Sequence, residues 1–140
     1  MANQRPYSGL IERLKAVGLR PTRQRLALAR LLQDGGDRHL SAEQLHEEAL
    51  AAKVRVSLAT VYNALHQFTA AGLLREVVVE PGRSYFDTNV EDHHHFYFED
   101  SGRLEDIPGD QVRLANLPKP PKGSRLSRVD VIIRVSDERG

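Results

Sequence analysis

Apolar residues recur at helical spacing through the first half of this chain and at alternating spacing after it. Leu10, Ile11, Leu14 and Val17 share one side of a helix predicted over Tyr7 to Val17, which Gly18 ends. Leu19-Arg20-Pro21-Thr22 reads as a turn. Thr22 is a good N-cap, and a second helix is predicted from Thr22 to Leu32, stopped by Asp34-Gly35-Gly36-Asp37. Ser41, with Gln44 three residues on, has capping-box spacing and opens a third helix reaching about Lys53. Val54-Arg55-Val56 leads to Ser57, another N-cap, and a fourth helix to Phe68. Leu58, Val61, Leu65 and Phe68 line its inner side. Its outer side carries Ala59, Thr60, Asn63 and Gln67, with Tyr62 at the flank. That side is short, hydrogen-bonding and uncharged, which suits contact with base edges in a major groove.

After Gly72 the period changes. Leu73 to Val79 and Arg83 to Asp87 read as strands around Glu80-Pro81-Gly82. Helix, helix and then hairpin is a winged helix-turn-helix order, with the fourth helix as the recognition helix. Thr88 to Asp92 is polar and aperiodic. His93 to Phe98 and Arg103 to Ile107 read as strands around Asp100-Ser101-Gly102. A short helix is predicted over Asp110 to Leu117, stopped by Pro118. Lys119-Pro120-Pro121-Lys122-Gly123 is a stiff solvated linker. The last predicted strand, Val129 to Val135, places Val129, Val131, Ile133 and Val135 on one face. The fold class is therefore α+β: an N-terminal winged helix-turn-helix domain over 1–88, a hinge at 89–93, and a small α/β domain over 94–140. So few residues cannot bury enough apolar surface alone, and the last strand's apolar face predicts a homodimer.

Composition narrows the classes. The chain has 140 residues and no cysteine, which removes disulfides and thiolate zinc sites together. No run approaches a membrane span and the start shows no apolar leader, so a soluble cytoplasmic protein without membrane partners is expected. Net charge is +1 but unevenly spread: +5 over residues 1–40, −8 over 76–110 and +4 over 111–140. A basic first segment suits a polyanion, and an acidic, His-bearing middle suits a cation.

His93-His94-His95 is the densest candidate chemistry. Strand alternation puts His93 and His95 on one face and His94 on the other, so one site using all three would need irregular backbone. Imidazole ligates zinc, iron, manganese and haem alike. A metalloenzyme reading lacks H-E-x-x-H or a Gly-flanked nucleophile, and an RNA-binding sheet would place its cations elsewhere than on the first helices.

Arg20-Pro21-Thr22-Arg23-Gln24-Arg25, His39-Leu40-Ser41-Ala42, Ala59-Thr60-Val61-Tyr62, Phe68 to Leu73 and the His triplet, in this order, resemble the ferric uptake regulator superfamily. The resemblance covers about residues 8–135. It implies a dimeric, metal-dependent transcriptional regulator that binds a double-stranded DNA operator, and no enzyme activity. It further implies that Arg20, Arg25, Ser57, Thr60, Tyr62 and Asn63 meet DNA. Tyr62 matches a base-contacting tyrosine, Arg20 a minor-groove residue and Arg25 a phosphate contact; Asn63 stands where many members have Arg. His39, Asp87 and His94 match three ligands of the hinge metal site, with Phe96 in the fourth place. The second metal site looks dismantled, with His93, His95, Arg113 and Val129 at its positions. The triplet, the absent cysteines and the ending Arg128 to Arg134 look like the iron response regulator branch. That branch implies haem as cofactor, received by His93, His94 and His95, and control of iron and haem genes. The alternative is a regulator responding to manganese, ferrous iron or zinc without haem.

Overall fold

Three hydroxyl side chains start three of the four helices. The computed structural model describes residues 8–138. The order is α1 (Ser8–Ala16), α2 (Arg23–Asp34), β1 (His39–Leu40), α3 (Ala42–Ala51), α4 (Leu58–Ala70), β2 (Arg75–Glu80), β3 (Arg83–Asp87), β4 (His93–Phe98), β5 (Arg103–Pro108) and β6 (Ile132–Val135). Thr22 accepts from the Arg25 amide, Ser41 from Gln44 and Ser57 from Thr60, each cap in extended backbone. Each bond satisfies one of the amides that a helix start leaves without a partner. Gly18 at φ +81° and Gly72 at φ +84° lie just beyond α1 and α4, in the left-handed region that other residues avoid.

The chain divides into two units, Met1–Val90 and Glu91–Gly140. In the first, Leu28 and Leu32 of α2, Leu45 and Ala49 of α3, and Val61, Leu65 and Phe68 of α4 are buried together with Leu40 and Phe86. Burial of each such Leu or Phe contributes about 1.5–3 kcal/mol. The antiparallel sheet runs β1-β3-β2, so the β2–β3 hairpin forms the wing beside the helices. Gly82, at φ +76°, makes the tip, and the register slips between Val78 and Glu80. The predicted helix-turn-helix and wing are the observed ones, with ends moved by one or two residues. Helix α1 begins at Ser8; the predicted start at Tyr7 lies outside the described residues.

Strand β1 is an addition to the sequence reading. Two residues are too few to show a period, but they pair with β3 and set His39 opposite Asp87 and Leu40 opposite Phe86. The Arg38 amide donates to Thr88 Oγ1 at 2.9 Å and the Thr88 amide to the Arg38 carbonyl at 3.0 Å, extending the pairing. Both guanidinium branches of Arg38 also reach Glu48 on α3.

In the second unit β4 is central, antiparallel to β5 and parallel to β6. His93 is the first residue of β4. Two expectations fail here. The helix predicted over Asp110 to Leu117 is only a 3-10 turn, Gly109–Gln111, after which Val112 is extended and Asn116 sits at φ +59°. Too few positions stand before Pro118 to nucleate a helix, and the residue preceding a proline avoids helical backbone. Residues 113–128 then form an exposed, extended crossover. The last strand spans Ile132–Val135 rather than starting at Val129, and Ile133 is 38% exposed. Among the described residues no helix is long and apolar enough to cross a membrane.

Candidate nucleic-acid interface and metal centre

Helix α4 turns Val61, Ala64, Leu65 and Phe68 into the core. The same 3.6-residue period leaves Ala59, Tyr62, Asn63, His66 and Gln67 exposed. That face carries no Lys, Arg, Asp or Glu. Its first turn is held by Ser57, whose hydroxyl also donates to Thr60 Oγ1 at 3.0 Å. Both hydroxyls are therefore engaged in the cap. Two of the expected DNA-contacting residues, Ser57 and Thr60, thus have a structural task already, whereas Asn63 and the Tyr62 ring are presented outward.

Arg25 ties this helix to α2. Its Nε and Nη2 donate to Gln67 Oε1 at 3.1 and 2.8 Å, and its Nη1 to the Arg20 carbonyl at 2.9 Å. One guanidinium so fixes the recognition helix and the turn before α2 together. Gln24 Nε2 donates to the Arg55 carbonyl at 3.3 Å, and His46 Nε2 to the Val56 carbonyl at 3.1 Å, pinning the loop between α3 and α4. Arg20 is exposed.

Tyr62 departs from the plain reading of a free base contact. Its hydroxyl donates to Glu43 Oε2 at 2.9 Å, from the first turn of α3. This bond, then burial and the Glu43 charge, push the phenol above its usual value of 10.0. The Tyr62 ring stacks on His66 with centroids 6.2 Å apart, and His66 meets Phe86 edge-on at 5.6 Å.

Two groups of metal-type donors occur, one in each unit. In the first unit His39 Nε2 lies 3.6 Å from Asp87 Oδ2, and Asp87 is 1% exposed. The other oxygen, Oδ1, accepts from the Asn89 amide at 2.9 Å, which fixes the carboxylate. In the second unit His93 Nε2 and His95 Nε2 each lie 3.4 Å from Asp106 Oδ1. The two rings are 4.6 Å apart and almost fully buried. Two ligand atoms around one tetrahedral zinc stand about 3.4 Å apart, so these separations suit a shared ion.

The tautomers support that fit. His93 Nδ1 donates to the Glu91 carbonyl, so the neutral ring carries its lone pair on Nε2, facing the carboxylate. Lone pair against carboxylate is unfavourable unless a cation or proton lies between. A ring N–H donated to a carbonyl is also the usual support of a metal-ligating histidine.

His94 is placed differently. It lies on the opposite face of β4, and its Nδ1 accepts from the Val131 amide at 3.1 Å. A neutral ring accepting at Nδ1 holds its proton on Nε2 and has no lone pair left for an ion. The three expected hinge ligands are therefore unequal: His39 and Asp87 are brought together, while His94 is turned to its own strand partner. The donor missed in the sequence is Asp106. Its signal was the hairpin: pairing Phe98 with Arg103 across the turn puts His95 opposite Asp106.

Residues 16–131 match the sequence profile of the Ferric uptake regulator family. The ferric uptake regulation protein of Cupriavidus metallidurans is 40% identical over 95 residues, 67% of this chain and 66% of that protein. Its counterpart in Escherichia coli K12 is 34% identical over 100 residues, 71% of this chain and 68% of that protein. The chain thus spans about two thirds of the length of these relatives. Among solved structures, the Vibrio cholerae ferric uptake regulator superposes with a TM-score of 0.71 at 25% identity, covering 91% of this chain and 99% of that one. The Pseudomonas aeruginosa ferric uptake regulator, solved with manganese, gives 0.68 at 26% identity, covering 91% and 97%. With its winged helix, its β4-centred second sheet and a profile match over most of its length, the chain belongs to the ferric uptake regulator family.

Proposed function

We propose that this protein is a dimeric, cytoplasmic transcriptional regulator that binds duplex DNA through α4 under the control of a divalent ion. The observation that carries the DNA half is the exposed, uncharged face of α4, pinned by Arg25 from a helix rich in cations. A neutral face reads base edges, and the surrounding arginines, with Arg20 foremost, supply phosphate attraction. Tyr62 and Asn63 are the base readers, Ser57 and Thr60 hold the first turn, and Arg25 sets the helix angle.

The ion half rests on the donor chemistry. His39 and Asp87 offer one nitrogen–oxygen pair, and His93, His95 and Asp106 offer another. Both suit iron, manganese or zinc. When bound, the ion supplies positive charge that neutralises these carboxylates. Bound at these donors, it would favour some conformations of the chain over others, and DNA affinity would follow by its differential affinity for those conformations. In this reading the donors of the first unit are His39 and Asp87, and those of the second are His93, His95 and Asp106, not His94.

A second reading, haem as the signal, draws on the opposite face of β4. There His94, Phe96 and Phe98 are each half-buried, with the two phenyl rings 6.5 Å apart. Ligation by His94 Nε2 would require the ring to change tautomer and give up the Val131 amide. The divalent reading needs no such change and is preferred. Either signal suits the control of iron and haem genes.

Tyr62→Ala tests the DNA half. At fixed salt it should lower affinity for a duplex selected by the wild-type chain by about 1–3 kcal/mol. Unchanged binding would remove α4 from the interface.

A further inference from the structure

Resting on α4 as the reading element, we propose that Glu43 determines base specificity by consuming the one proton of the Tyr62 hydroxyl. Glu43 belongs to α3, outside the recognition helix, and no DNA-facing role follows from its place in the sequence. It sits in the first turn of α3, where the helix dipole favours a carboxylate. Its Oε2 accepts from Tyr62 at 2.9 Å. The pair walls a polar cleft of about 270 Å³ whose other side is the wing, with Arg83 and Tyr85.

A phenol has one donor and can accept as well. With the donor given to Glu43, Tyr62 keeps only an acceptor and its carbon ring for DNA. Acceptors dominate the major-groove edge of guanine, at N7 and O6, whereas thymine adds a methyl group. A hydroxyl with no proton to give leaves the guanine acceptors N7 and O6 without a donor, which costs binding at that base. The ring, steadied on His66 and Phe86, remains suited to the thymine methyl. Tyr62 thus reads thymine and rejects guanine. Glu43 acts as a positioning and specificity-determining residue.

The test uses the full chain with Mn(II) present, a duplex enriched by the wild type from a random pool, and its single thymine-to-guanine variants. Tyr62→Phe, which likewise has no proton to give, should keep the rejection of guanine. Glu43→Ala should release the proton and lower guanine discrimination at one position by about tenfold, one strong base contact's worth. Glu43→Gln, which still accepts through its amide oxygen, should restore discrimination, a recovery that a merely structural role would not give. In Tyr62→Phe, adding Glu43→Ala should change nothing further. If Glu43→Ala folds poorly, Glu43→Met, which keeps the bulk of the side chain but accepts no such bond, takes its place and must lose the discrimination. The proposal is overturned if Tyr62→Phe loses as much affinity as Tyr62→Ala, or if guanine discrimination survives Glu43→Ala. Wild-type binding by Tyr62→Ala would instead sink the recognition-helix reading itself.

Discussion

Arg25 and Gln67 stand 42 positions apart in sequence and meet through two hydrogen bonds to one amide oxygen. Through them α2 sets the angle at which α4 faces outward. The guanidinium is half-buried, so each bond contributes modestly, on the order of 1 kcal/mol. Arg25→Ala is expected to lower stability by about that much and to weaken DNA binding. Gln67→Ala should reproduce most of the affinity loss with an unchanged salt dependence. A phosphate contact by Arg25 would show instead as a fall of about 0.9 in the slope of log affinity against log salt, in Arg25→Ala alone.

Ser57 is predicted to act by capping. Ser57→Ala removes the acceptor for the Thr60 amide and leaves a helix start without its side-chain partner. Stability should fall by about 1 kcal/mol, seen as a lower midpoint in thermal or urea unfolding. Ser57→Asp, another good cap, should restore it. Equal loss in both variants would mean that the hydroxyl serves something other than the cap.

The phenol of Tyr62 carries a pH signature. Its folded-state value lies above the unfolded one, chiefly because Glu43 accepts from it. The neutral phenol is the form that the fold favours. The bond's contribution is therefore complete below about pH 10 and is lost as pH rises through the folded value. With Tyr62 more than a third exposed, the stability at stake is small. Ultraviolet titration of phenolate should show one tyrosine, absent in Tyr62→Phe, ionising at lower pH in Glu43→Ala than in wild type. Identical titration curves would deny the bond.

Asp106 is predicted to be a ligand and His94 not. Asp106→Asn keeps the shape and removes the charge that faces His93 and His95. Zinc affinity, followed by calorimetry on protein without a His-tag, should fall by at least about tenfold. His94→Ala should leave it unchanged. The reverse ranking would return the site to the other face of β4.

Most of the fold was legible because caps and periods are local. Thr22, Ser41 and Ser57 mark helix starts by their own hydroxyls, and the alternation of His93 to Phe98 gives β4 with its correct ends. What escaped depends on partners distant in sequence. His39–Leu40 is a strand only because β3 offers it an edge. The helix expected after Asp110 reflected favourable residues in a window that Pro118 leaves too short. Asp106 looked like one acid among many until register placed it against His95. His94 matched a family position, yet alternation had already separated it from its neighbours, and the geometry followed alternation. Tyr62 was visible as a reader, but its link to Glu43 depends on how α3 and α4 pack.

The central claim is that occupancy of the His–Asp donors sets DNA affinity. The direct measurement is the affinity of the full chain for a selected duplex, at fixed salt, across a Mn(II) titration, in wild type and in Asp106→Asn. Wild-type affinity should change by about 5- to 150-fold, the usual span of such coupling, and Asp106→Asn should stay flat over the same range. A wild-type curve indifferent to Mn(II), or an Asp106→Asn curve that follows it, would contradict the account.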